Sequence, residues 1–329
     1  MSHLILATSH LGADRLRRAN RANVAIGFGL RFVCGQLPSE EQLWIGLERR
    51  STKHCNVGDH WLDDVARSSL RDFATRDIGL FDLCAKFDSI EVWADPWPND
   101  QLVLVWLLNL LRPYKEFTTK LSLVQTDDSA GNYHPQSVAR WKLPVFKVTD
   151  AHFTMAGRAW NAWRAPTPEH CFDLLSTDLT KFPRLRPALI TILEELPDLH
   201  TGLGENEMGM LGWIEDEGTE RRRVLRAAEF REVYDEREAD ELLDKLVDCP
   251  KPAIIEFGET PLDKSKEALR HQPKEGRMTL TDLGRAIMDS ESDEDFSKHN
   301  PIHRWWGGTE LTNDRLWRWD RRNRTLVAP

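Results

Sequence analysis

An α/β protein is what the sequence predicts: a Rossmann-like parallel-sheet domain at the N-terminus, a helical segment after it, and a winged-helix-like module at the C-terminus. Three observations predict it. Strand-like and helix-like stretches alternate over the first 125 residues, the pattern of a parallel sheet covered by helices. From about residue 150 the pattern turns helical. In the last third, three helix-like stretches precede strand, helix and strand, an order compatible with a winged helix. The expected domains are therefore residues 1–135 (α/β), 136–200 (helical connection) and 201–329 (winged-helix-like).

Each element has its own signal. Residues 3–7 (HLILA) form a short apolar run that suits a buried strand, and residues 13–23, rich in Arg and Ala, suit the helix that follows. Residues 24–28 (VAIGF) read as a second strand. Ser39 caps a helix running to residue 50. Residues 61–73 place apolar side chains at helical spacing. Residues 89–93 (SIEVW) are a strand, 94–100 (ADPWPND) a two-proline loop, 101–112 an apolar helix and 121–125 (LSLVQ) a further strand. The turn-rich residues 127–132 (DDSAGN) are expected to end the α/β unit.

Beyond it, Thr149 and Asp150 open a helix to residue 163. Pro168 and Glu169 open another, and residues 184–196 form a third that stops before Pro197. Residues 204–214, 219–229 and 236–247 read as helices, 253–257 (AIIEF) as a strand, and 278–286 as a strand feeding a capped helix. Residues 289–295 (DSESDED) read as an exposed acidic linker. The tail reads as strands near 304–308, 316–320 and 325–327.

Composition excludes several classes. The chain has 329 residues with 40% apolar and 29% charged side chains, as a globular protein has. Its longest apolar stretch, residues 102–108, falls far short of a membrane span, so no membrane partner is expected. Five cysteines without a CxxC pair point to a reducing, cytoplasmic setting rather than a disulfide framework. The net charge of −9 comes mostly from residues 201–250, which hold 15 acidic against 7 basic residues. Such a field disfavours nucleic acid as a partner, although the mildly basic ends leave it room. Thirteen Trp against three Tyr is the odd ratio. Trp93 and Trp97 border the two-proline loop, Trp160 and Trp163 share a helix, and four sit in the tail, where packing accounts for most of them.

Two loops carry the chemistry. Thr8, Ser9, His10 and Gly12 follow the first strand, and hydroxyls with free backbone N–H groups at a positive helix end suit a phosphate or carboxylate. Plain capping by Ser9 with a turn at Gly12 explains the same residues. Asp95, Asn99, Asp100 and Gln101 follow the third strand, and in open α/β sheets ligands gather outside the strands' carboxyl ends, where both loops would meet. Capping by Asn99 or Asp100 is the alternative. Neither a P-loop nor a dinucleotide fingerprint is present, and no cofactor is assigned.

Two further groups are weaker. His54, Cys55, Asp59, His60, Asp63 and Asp64 match no zinc spacing, so no metal is assigned and a solvated acidic helix face is expected. In the tail, Arg304, Trp305, Arg318, Arg321 and Arg322 interleave cations with aromatics, as nucleic-acid grips do. A half-buried strand with Trp inward and Arg paired to the acidic block reads the same residues structurally.

Residues 8–16 (TSHLGADRL), 92–102 (VWADPWPNDQL), 280–288 (LTDLGRAIM) and 304–320 (RWWGGTEL…WRWD) resemble bacterial proteins that carry "domain of unknown function 1835", usually followed by a second uncharacterised C-terminal domain. The match is spread over most of the chain, and the specific blocks are Trp93 with 98–101 and residues 304–308. Relatives often have a His/Asp/Tyr-containing version of the first block, which Pro96 to Asn99 replace here. The resemblance implies an architecture and no activity.

The expected function is binding of a small anionic, nucleotide- or phosphate-like ligand by the α/β domain. His10 and Asp100 are the candidates should a proton be transferred. The alternatives are a ligand-responsive nucleic-acid-binding regulator using the winged-helix module, and a protein-interaction module without catalysis.

Overall fold

The strand and helix signals of the first half close into one sheet. The computed structural model describes residues 2–63, 77–215, 218–229, 231–257, 276–289 and 292–329. Two compact units make up the chain: Met1–Phe32, Gln36–Ala165 and His170–Leu189, and Val33–Gly35, Pro166–Glu169 and Ile190–Pro329. Residues 136–200, expected as a separate connection, are divided between them.

The first unit runs β1 (His3–Ala7), α1 (His10–Arg18), β2 (Val24–Gly27), α2 (Glu40–Leu47), α3 (Leu80–Ala85), β3 (Ser89–Ala94), α4 (Pro98–Leu111), α5 (Lys115–Thr118), β4 (Leu121–Gln125), α6 (Pro135–Val138), β5 (Phe146–Lys147) and α7 (Asp150–Trp163). The sheet order is β2-β1-β3-β4-β5, parallel except for β5. Residues 127–132 do not end the unit, because β5 pairs antiparallel with β4 and α7 packs along α4. β1 and β3 are buried almost throughout, which is why they read as continuous apolar runs rather than alternating ones. One face packs Ile5, Ala7, Ala25, Trp93 and Val124 against Ala13 and Leu16 of α1. α4 is apolar around most of its circumference and accordingly buried along nearly its whole length.

Local signals explain most starts and stops. Ser39 caps α2 with a full capping box to Gln42. α1 begins at His10, three residues earlier than expected, because Ser9 takes the capping position. The helix expected over residues 61–73 lies mostly outside the described residues.

α8 (Glu169–Leu174) and α9 (Leu185–Leu193) lead into the second unit. It continues with α10 (Glu205–Gly212), β6 (Thr219–Glu220), α11 (Arg221–Glu229), α12 (Glu236–Val247), β7 (Ile254–Phe257), β8 (Arg277–Leu280) and α13 (Asp282–Met288), then the hairpins β9 (His303–Trp306)/β10 (Thr309–Thr312) and β11 (Arg318–Asp320)/β12 (Thr325–Val327). β6, β8 and β7 form an antiparallel sheet in that order. The unit has its own core, in which Met210, Leu211, Val224, Leu243, Ile254 and Met278 meet. Of the acidic run 289–295, residues 290–291 lie outside the described set. Asp295 is not exposed as expected: it is buried and accepts hydrogen bonds from Ser297 N and Oγ. Among the described residues no helix is long and apolar enough to cross a membrane.

Candidate functional site

Register brings the loops together. Ala7 pairs with Gly27 on one side and Trp93 on the other, and Ala94 pairs with Gln125, so β1, β3 and β4 end level and their loops leave the sheet side by side. Thr8 is buried, and its Oγ1 accepts from Asp95 N at 3.1 Å. Ser9, in extended conformation, caps α1 by accepting from Gly12 N at 3.0 Å, and its hydroxyl donates to Asp95 Oδ2 at 2.8 Å. Gly12 lies within α1 rather than at a turn. Its role is clearance, since a Cβ there would stand 2.6 Å from Ser9 Oγ. His10, the first residue of α1, is half-buried beside this cap.

The two-proline loop is shorter than expected, and α4 starts at Pro98. Proline at the first helical position loses no hydrogen bond and has the right φ. Trp97 therefore stands at the cap, and Asn99 and Asp100 do not cap the helix but lie in its first turn. Asn99 instead clamps the segment after β2: its Oδ1 accepts from Phe32 N at 2.8 Å and its Nδ2 donates to Leu30 O at 2.9 Å. Gln101, fully buried, donates from Nε2 to Asp95 O at 2.7 Å, and its Oε1 has no hydrogen-bond partner among the described residues.

The loop after β4 contributes residues that sequence reasoning read only as turn formers. Ser129 Oγ donates to Asp95 Oδ2 at 2.7 Å, while Thr126 Oγ1 and Ala130 N approach Oδ1 at 3.4 Å. Asp95, 1% exposed, thus gathers hydroxyls from the two loops on either side of its own. Burial pushes its carboxyl above the usual carboxylate range while these hydrogen bonds pull it back. Asp100 has less support. Burial and the neighbouring Asp95 charge push it up to about 7 against the pull of a hydrogen bond with Thr8 and the Arg31 charge, and its Oδ1 has no hydrogen-bond partner among the described residues. The signal for the third loop was present as TDDSAG, a hydroxyl-rich stretch with glycine after a strand, like TSHLG after the first.

The other candidates resolve differently. His54 and His60 are both buried, with Nε2 2.8 Å from Ile45 O and 3.0 Å from Glu48 O, so they tie loops together rather than lining a solvated acidic face. Among the described residues no group of three or more His, Cys, Asp or Glu is placed to hold a metal ion. In the tail, Arg304 pairs with Glu207 at 3.1 Å, Arg318 with Asp295 at 2.9 Å, and Arg321 with Glu205 at 2.9 Å. Trp305 is half-buried and Arg322 is exposed. Trp319 is buried, as an inward strand residue should be.

No protein-family model matches the chain, and no curated protein matches it. Among solved structures, the DNA-binding, cleavage and re-ligation domain of Plasmodium falciparum topoisomerase II is similar at a TM-score of 0.39 and 9% identity. The match covers 94% of this chain and 50% of that one, so the chain spans half the length of the structure it resembles, and a likeness so distant carries nothing about activity.

Proposed function

We propose that the first unit binds a small nucleotide- or phosphate-like ligand where β1, β3 and β4 end. One observation carries the reading: among the described residues Asp100 Oδ1 and Gln101 Oε1 are buried acceptors without partners, beside a cluster of hydroxyls from the loops after β1 and β4. Buried acceptors left unmade are costly, and a ligand hydroxyl or amino group would satisfy them. The ligand's anionic group then belongs at the amino end of α1, where the helix dipole favours it. The order β2-β1-β3-β4 supports a Rossmann-like reading, with its switch point between β1 and β3. If the ligand is turned over, Asp100 is the proton-transfer group, since an acid near 7 suits that task, with His10, the first residue of α1, as the other candidate. Thermal-shift and calorimetric titration with AMP and ribose 5-phosphate test the reading. Binding weakened by Ser9→Ala and Asp100→Ala is expected. No response in the wild type, or one indifferent to both substitutions, overturns it.

A second reading has a specific observation behind it. The chain order α10–β6–α11–α12–β7–β8, with sheet order β6-β8-β7, supports a winged-helix reading of the second unit. In such a module α12 would read nucleic acid, yet it carries five carboxylates to two cations and would repel phosphate. We therefore rank a protein partner above DNA or RNA for this unit. An electrophoretic shift with duplex DNA or RNA at low salt, abolished by salt, would reverse that ranking. Architecture of this kind is also what the resemblance to proteins carrying "domain of unknown function 1835" implies, and we propose that kinship on the same residues.

A further inference from the structure

A cavity of about 440 Å³ opens in the first unit between the segment after β2, helix α2 and the loop that follows it. It shares no lining residue with the crevice at Ser9, Asp95 and Asp100. Its size lies within the usual range of small-molecule sites. Three aromatic rings line it. Phe28 lies 6.0 Å from Trp61 at an interplanar angle of 30°, and meets Trp106 edge-on at 5.6 Å. Phe28 and Trp106 are buried, while Trp61 keeps part of its surface open. Gln42, Lys53 and Asp59 add an amide, a cation and a carboxylate to the lining, all at least partly exposed.

The wall is held by polar groups. His54 Nε2 lies 2.8 Å from Ile45 O and His60 Nε2 3.0 Å from Glu48 O, with the two imidazoles packed edge to face at 5.0 Å. Arg50 pairs with Asp63, and Trp61 N donates to Gly46 O at 2.9 Å. Burial and the Arg50 charge hold His60 below the ordinary histidine range, so it remains neutral at pH 7 and serves as a hydrogen-bonding strut. Trp61 Nε1 is itself committed to Ile78 O at 3.1 Å, which fixes the indole plane. On the other side Asn99 holds Leu30 and Phe32, so the segment bearing Phe28 is fixed too. A rigid aromatic wall with a hydrogen-bonding lining is preorganised for one kind of guest: a flat ring that stacks on its face and bonds along its edge.

We propose that this cavity is a ligand site separate from the crevice, taking a planar nitrogen heterocycle stacked on Trp61 with its polar edge toward Gln42 and Asp59. The volume admits one mono- or bicyclic ring system with a small substituent. Gln42 Oε1 already accepts from Ser39 N at 2.8 Å, so Gln42 offers its amide N–H groups, and Asp59 offers an acceptor.

Calorimetric titration of the full chain with adenosine, uridine and 8-anilinonaphthalene-1-sulfonate tests this. A nucleoside is expected to bind saturably at one site. Trp61→Leu should weaken that binding at least tenfold, Trp61→Phe should keep it within about threefold, and Asp100→Asn should leave it unchanged. Gln42→Leu, which keeps the apolar wall, should weaken the nucleosides but not the anilinonaphthalene probe. The proposal is overturned if neither nucleoside binds, if only the anilinonaphthalene binds, or if a nucleoside binds with Trp61→Leu and Gln42→Leu both silent. Loss on Asp100→Asn with both cavity variants silent would place the nucleoside in the crevice, which refutes the cavity while sustaining the crevice reading.

Discussion

Asp95 organises more of the first unit than any neighbour of its size. Its carboxylate accepts from Ser9 and Ser129 and lies within 3.4 Å of Thr126 Oγ1 and Ala130 N, joining loops far apart in sequence. Removing one hydroxyl leaves a buried anion short of a donor, which costs roughly 1–3 kcal/mol. Ser129→Ala should therefore lower stability by about that much in urea unfolding at pH 7, while Ser137→Ala, at an exposed hydroxyl, should change little. Equal effects would mean that the Asp95 hydrogen bonds contribute nothing special. Half of this arrangement is legible in the sequence. Thr8, Ser9, Asp95 and Asp100 stand after strands that announce themselves, and the rule about strand carboxyl ends brings them together. Ser129 was missed because its partner is 34 residues away and its local surroundings look like any turn. Arg221 hides its role in a similar way. It sits in an Arg221–Arg223 run with the look of a basic patch, yet it is 1% exposed and surrounded by carboxylates.

At the scale of elements, the same contrast separates what a helix declares from what it holds. The apolar run of α4 declares a buried helix, but its first turn looked like loop because Pro96 precedes it and Pro98 opens it. Only the structure shows that Asn99, in that turn, fastens the strand-exit segment through Phe32 N and Leu30 O. Asn99→Ala strands a buried N–H and a C=O and should cost about 2–4 kcal/mol. Asn99→Asp keeps the acceptor for Phe32 N and loses only the donor, so its loss should be smaller at pH values where the carboxylate is charged. Denaturation midpoints that rank Asp below Ala would contradict the clamp. In the second unit Arg221 ties α11 to α12 and β7 through Asp240 at 2.7 Å, Asp244 at 2.5 Å and Glu256 at 2.9 Å. Arg221→Met leaves three carboxylates facing one another and should cost about 3–5 kcal/mol. Arg221→Lys retains one charge without the fork and should fall between, as read by circular dichroism during guanidinium unfolding. This also explains part of the acidity of residues 201–250: some of those charges have a buried internal counter-ion.

For the whole molecule, the net charge of −9 says less than where two carboxyls are buried, one in each unit. Asp100 is raised to about 7 by burial and the nearby Asp95, and Glu195 is raised to about 7 by burial against the opposing pull of Arg231. Both hold their proton more tightly folded than unfolded. Their contribution is thus complete below the ordinary carboxylate range and is lost as pH rises from about 4 through about 7. Buried histidines act oppositely. Burial lowers His3, His60 and His152, so the unfolded chain takes up protons first, and stability falls as pH drops below the ordinary histidine range. The two limbs oppose each other below the ordinary histidine range, while above it the carboxyl limb acts alone, so stability should fall between pH 6.5 and pH 8 by on the order of 1–2 kcal/mol. Neutral replacements separate the limbs. Asp100→Asn with Glu195→Gln should shrink the alkaline limb to the part that the raised Asp95 and Glu91 supply and leave the acid limb in place, read as melting temperature between pH 5 and 8.5. If the double variant declines as steeply as the wild type, neither Asp100 nor Glu195 holds its proton in the folded chain. Asp100 would then enter the crevice as an anion, unable to donate a proton to anything bound there.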